Sequence, residues 1–151
     1  MQSIDDAGLQ QLEQKFDAVM KKFPQERRAL HERIGDMERA EVTGDIAGSG
    51  MKSTGTVEGW QQKYVGSGGG YAAVRAIKGS GNNGPGAVTN YLENGHKIRA
   101  SGGAAQRYKP RVHTAYVNGY HFYAAAKAGE LFGKAKEEVE KTVQNLAKEL
   151  K

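Results

Sequence analysis

The sequence predicts an α+β fold, with long N- and C-terminal helices packed on a small, mainly antiparallel β-sheet. Three observations carry that expectation. Apolar residues recur at steps of three and four near both ends of the chain, which is the spacing of one face of a helix. Between them, residues 54–77 set two short runs of β-branched and aromatic residues around Gly66-Ser67-Gly68-Gly69-Gly70, the pattern of a hairpin with a flexible tip. Neither a helical layer nor a small sheet buries its apolar face alone, so the helices are expected over the sheet. A length of 151 residues fits one domain.

The first helix is expected over about 5–23. Leu9, Leu12, Phe16, Val19, Met20 and Phe23 form its stripe, and Asp5 and Asp6 suit its N-terminus. Pro24 ends this helix or begins the next, because proline suits a first helical position and disfavours helix at the residue before it. A second helix then runs from Pro24 to about Gly48, striped by Leu30, Ile34 and Met37 and continued by Val42 and Ile46. Gly35 and Gly44 weaken it by roughly 1 kcal/mol each relative to alanine, or permit close packing.

The hairpin follows. Alternation puts Glu58, Trp60, Gln62 and Tyr64 on one face and Val57, Gly59, Gln61, Lys63 and Val65 on the other. Neither face is wholly apolar, so the buried one stays open. Trp60, the single tryptophan, is expected to anchor the core. Residues 79–86 form a loop, and 87–94 a short helix stopped by Gly95. Residues 96–111 are basic, polar and small, and read as a mobile loop. A strand is expected over 112–117, a turn at Asn118-Gly119, and one long helix over 120–150.

Net charge is +5 with Cys absent. The charge is uneven. Residues 1–48 hold 7 Lys/Arg against 10 Asp/Glu, and residues 49–118 hold 9 against 2. Such a basic centre suits nucleic acid or an acidic partner, or simply solubilises glycine-rich loops. Absent cysteine removes disulfides and thiolate metal sites and fits a reducing cytoplasm. No apolar run is long enough to cross a membrane, and the first residues do not read as a signal peptide.

Catalytic motifs fail on their own chemistry. After the glycine cluster comes Tyr71, where a P-loop needs Lys and Ser/Thr and a dinucleotide fingerprint needs a glycine opening a helix. His31, His96, His113 and His121 lack metal-ligand spacing. Glu58 and Glu93 are the only acids of the centre, short of the paired titrating groups of general acid–base work. No enzyme, metal or cofactor is expected. Basic and aromatic residues do interleave at Lys63-Tyr64, at Tyr71 to Arg75 and at Arg107-Tyr108-Lys109, a pattern that can track a nucleic-acid backbone.

The order of parts is more specific. Two amphipathic helices lead into Gly55-x-Val57-x-x-Trp60-Gln61. Tyr91-Leu92-Glu93-Asn94-Gly95-His96 follows, then Val117-Asn118-Gly119-Tyr120-His121-Phe122 entering the last helix. From about residue 5 to residue 150 this resembles the tail-component or tail-completion proteins in the neck of long-tailed bacteriophages. The resemblance implies a non-catalytic virion protein, made in the host cytoplasm, that forms a homo-oligomeric ring of six copies. It implies head-closure and tail-terminator or tail-tube proteins as partners, DNA passing through the lumen, and no membrane. Contacts to that DNA or to a neighbouring ring are then expected from Lys63, Arg75, Lys78, Lys97, Arg99, Arg107, Lys109 and Arg111. Tyr91 and Phe122 join Trp60 as structural anchors. The competing reading is a small basic protein that binds nucleic acid without sequence preference. An enzyme built around Glu58, Glu93 and His96 ranks last.

Overall fold

The computed structural model describes residues 6–52, 55–81, 83–97 and 116–151. Its elements are helix α1 (Asp6–Gly48), helix α2 (Thr56–Trp60), strands β1 (Gln61–Val65) and β2 (Ala72–Ala76) and helix α3 (Pro85–Asn94). Strands β3 (His96–Lys97) and β4 (Tyr116–Val117) and helices α4 (Phe122–Ala128) and α5 (Leu131–Lys148) complete it. The fold is α+β. The strands pair in twos, β1 with β2 and β3 with β4. The chain divides into two compact units, each gathered from separated stretches. Unit 1 takes Met1–Arg39, Lys63–Val74 and Glu130–Lys151, and unit 2 takes Ala40–Gln62 and Arg75–Gly129.

In unit 1 the expected helix boundary at Pro24 is absent, because α1 runs through it. An interior proline removes one backbone bond and costs about 3 kcal/mol. One neighbouring helix holds both sides of it in line. Before the proline, Lys15 Nζ donates to the Lys151 carbonyl and Lys22 Nζ pairs with Glu149 at 2.8 Å. Beyond it, Arg33 pairs with Glu138 at 2.9 Å and donates to the Thr142 hydroxyl. These pairs fix α5 antiparallel to α1. The Lys141 ammonium and the Arg33 guanidinium hold the Glu138 carboxyl below its ordinary range.

The glycine tip of the hairpin is docked on α1. Arg27 donates to the Gly68 carbonyl at 2.6 Å, and the Gly69 amide bonds the Gly66 carbonyl at 2.8 Å. Gly69 has φ +64 and sits where a Cβ would lie 2.8 Å from the Arg28 side chain. Glycine therefore serves both a left-handed turn and a close approach there. Gly35 plays the expected packing part, since a Cβ on it would lie 2.7 Å from the Lys63 stem, whereas Gly44 has no neighbour within 4 Å. Glu38, partly buried, accepts from the Val74 amide. Burial raises its carboxyl above the ordinary range, and that bond partly offsets the rise.

In unit 2 the start of the first strand of the expected hairpin is helical. Gly55, at φ 81, redirects the chain into α2. Gln61 then starts β1 with its side chain buried and its Nε2 donating to the Val57 carbonyl at 3.0 Å. Trp60 therefore ends a helical turn, half-buried, and Val57 and Gln61 occupy the interior. Helix α3 ends where expected, at Gly95 with φ 75, but starts two residues earlier, because Pro85, expected in the loop, opens it. The single long C-terminal helix is instead two. Gly129 is extended and separates α4 from α5, because the first half packs into unit 2 and the second into unit 1. Phe122 and Ala126 belong to the interior of unit 2 with Val42 and Ile46. Of the strand expected over 112–117, only Tyr116–Val117 falls within the described residues.

Candidate functional site

Two places in the structure gather the residues singled out by sequence. The first is a joint in unit 2. The Tyr91–His96 and Val117–Phe122 segments, far apart in the chain, meet there. His96 pairs with Val117 and Lys97 with Tyr116 in an antiparallel ladder. The Tyr120 amide donates to Leu92 O at 2.8 Å and the His121 amide to Glu93 O at 3.2 Å. Gly119 lies against the Glu93 backbone and Gly95 against Val117 O, each with no room for a Cβ.

Glu93 is buried, and its carboxylate accepts from the Tyr123 amide at 3.0 Å and the Ala124 amide at 3.3 Å. The opening turn of α4 thus borrows its cap from α3, because His121, at φ 56, supplies none. Open amides at a helix start need an acceptor, and a carboxylate also suits the dipole. The Tyr123 hydroxyl donates to Gln61 Oε1, tying this joint to β1. Glu93 is therefore a structural cap. Sequence reasoning had only its charge to go on, and named Gln61 as a motif residue without foreseeing its burial, because a glutamine carries no apolar signal.

Phe122 is 1 % exposed and anchors this joint. Tyr91 is exposed, with its ring 5.3 Å from that of His96. Beside the joint, Arg75, Ala76, Thr89, Asn90, Glu93 and Tyr123 border a shallow pocket. The buried Thr89 hydroxyl has no hydrogen-bond partner among the described residues.

The candidate cations divide. Lys63 is held within unit 1, by Asp36 at 2.7 Å and the Glu32 carbonyl at 3.1 Å, so its charge is paired within the fold at the surface. Arg75, Lys78 and Lys97 are exposed on unit 2. Arg99, Arg107, Lys109 and Arg111 lie outside the described residues, as does most of the loop expected over 96–111. Among the described residues no group of three or more His, Asp or Glu is arranged to hold a metal ion, and no helix is long and apolar enough to cross a membrane.

The second place is the open face of unit 1. Leu9, Leu12, Phe16, Met20 and Phe23 on α1 are exposed, although the sequence spaces them as a core stripe. Phe132, Val139 and Val143 on α5 are exposed too. Exposed apolar side chains of this size are the kind an interaction surface is built from. Lys22–Glu149 and Lys141–Glu138 lie exposed on the same helix pair.

No family model matches the sequence, and neither a curated protein nor a solved structure matches it.

Proposed function

We propose that the protein is a non-catalytic assembly subunit of a virion, a tail-completion ring protein that joins the DNA-filled head to the tail in the neck of a long-tailed bacteriophage. The observation that carries this reading is the joint of unit 2. The two segments on which the resemblance rests most, Tyr91–His96 and Val117–Phe122, serve one structural purpose there. Their glycines permit backbone contact, Glu93 caps a helix, and Phe122 fills the interior. The motif is spent on building the subunit. Apolar side chains left open on unit 1 supply surface for other subunits, and Arg75, Lys78 and Lys97 offer charge to DNA without base readout.

Electron microscopy of virions produced without this gene tests the reading. Filled heads separated from tails are expected, and normally joined particles would overturn it. The exposed cations of unit 2 also favour DNA binding as such. A titration with DNA at two salt concentrations checks that part, and affinity that does not fall with salt would remove it.

A further inference from the structure

Helix α3 reverses the usual distribution of its side chains. An amphipathic helix turns its apolar side inward, yet the buried residues of α3 are Thr89 and Glu93, whereas Val88 and Leu92 are half-buried and Tyr91 is exposed. Gly86, Thr89, Asn90, Glu93 and Asn94 follow steps of three and four, so they lie along one side of the helix. That polar side borders a pocket of about 330 Å³, which Arg75 of β2 and Tyr123 of α4 border too. The hydrogen-bonding groups of this pocket are of both kinds. Thr89, 3 % exposed, carries a hydroxyl with no hydrogen-bond partner among the described residues, although buried polar groups ordinarily have one. Asn94 Nδ2 donates to Asn90 Oδ1 at 2.9 Å, which leaves the Asn90 amide nitrogen to donate and the Asn94 side-chain oxygen to accept. The charges are of both signs as well, with Arg75 set against Glu93.

We propose that this pocket binds a small neutral polyol, a single saccharide ring. A sugar hydroxyl both donates and accepts, which matches a wall where a hydroxyl, an amide nitrogen and an amide oxygen follow one another along one helix side. A neutral ligand also escapes the conflict of sign, since an anion alone meets the Glu93 carboxylate and a cation alone meets Arg75. Glu93 needs no ligand of its own, because the Tyr123 and Ala124 amides already bond it. The volume lies at the low end of ligand sites, which suits one ring. Gly86 adds room on the same helix side, since a Cβ there would meet nothing within 4 Å. The inference does not rest on the neck reading, which the virion experiment decides separately.

An NMR titration of the isotope-labelled full chain with the methyl glycosides of glucose, galactose, mannose and N-acetylglucosamine tests the proposal. A ligand of about a dozen heavy atoms at ordinary efficiency binds with a Kd of about 1 mM, so the titration runs to about 20 mM. At least one glycoside should shift the backbone amides of Thr89, Asn90 and Asn94 saturably. Thr89→Val, which keeps the shape, should weaken that glycoside about tenfold. Gly86→Leu puts a side chain into the open space and a better helix former into α3, so it should abolish the shifts while the rest of the spectrum stays in place. Cyclohexanol, a ring of similar size with a single hydroxyl, should leave these amides unmoved. Absence of saturable shifts with every glycoside overturns the proposal. Equal shifts with cyclohexanol overturn it by marking an apolar pocket, and stronger ones with glycine or inorganic phosphate by marking a charged ligand. Shifts that survive Gly86→Leu, or undiminished affinity in Thr89→Val, place the sugar elsewhere and overturn it too.

Discussion

The two units treat their side chains in opposite ways. Unit 2 buries polar groups and satisfies most of them, with Gln61 bonded to Val57 and Tyr123, and Glu93 to two amides of α4. Unit 1 exposes large apolar groups and ties its long helices together with surface ion pairs at Lys22–Glu149 and Arg33–Glu138. Buried polar networks fix one arrangement, since each unmade bond costs the full desolvation of its partner. An open apolar stripe fixes nothing until something covers it. Unit 2 closes the joint of Glu93 and Gln61 by intramolecular contacts, although Tyr91, Tyr116, Val117 and Tyr120 stay exposed on it, whereas unit 1 leaves the apolar residues of its two long helices exposed.

Substitutions can break this contrast. The largest effect belongs to Phe122→Ala, which empties the interior of unit 2. It should cost about 3–5 kcal/mol, read as a lowered midpoint in urea. Glu93→Ala comes next. It strands two amides at the start of α4 and should cost roughly 2–3 kcal/mol, whereas Glu93→Gln, which keeps an acceptor, should cost less. Equal costs for Ala and Gln would show that the cap is not what Glu93 supplies. Thr89→Val removes the unpartnered hydroxyl while keeping the shape, and should be neutral or stabilise by up to about 1 kcal/mol. A clear loss would mean the hydroxyl is bonded in solution.

Unit 1 should respond weakly. Lys22→Ala breaks an exposed pair and should cost no more than about 0.5 kcal/mol. Glu38 adds a dependence on pH. Its folded pKa is raised by burial, so folding favours the protonated form. The stabilisation is complete below the unfolded value, about 4.3, and is lost as pH rises through the folded one. Glu38→Gln, fixed in the neutral form, should therefore be the more stable protein at pH 7 and lose that advantage near pH 4. Urea midpoints at the two pH values measure the difference.

Much of the secondary structure was legible. The three-and-four spacing locates α1 and α5, and Gly95 stops α3 where expected, because those signals act through neighbours one turn away; the start at Pro85, read as loop, was missed by two residues. The site was less legible. The two motif segments are plain in the sequence, yet their meeting depends on β3 pairing with β4 across a long stretch of chain. Lys63 looked like a free cation because Asp36 and Glu32 are nowhere near it in sequence.

By itself the sequence determined the α+β class, the helix-forming periodicities, the stop at Gly95 and the basic centre. Tertiary structure alone decided four other things. It carries α1 unbroken through Pro24, breaks the last helix at Gly129, buries Gln61 in place of Trp60, and leaves the Leu9–Phe23 stripe uncovered. The physical reason is range. Helical spacing and turn chemistry are set within a few residues, whereas burial is set by which distant surfaces meet. An apolar stripe records only that something must cover it.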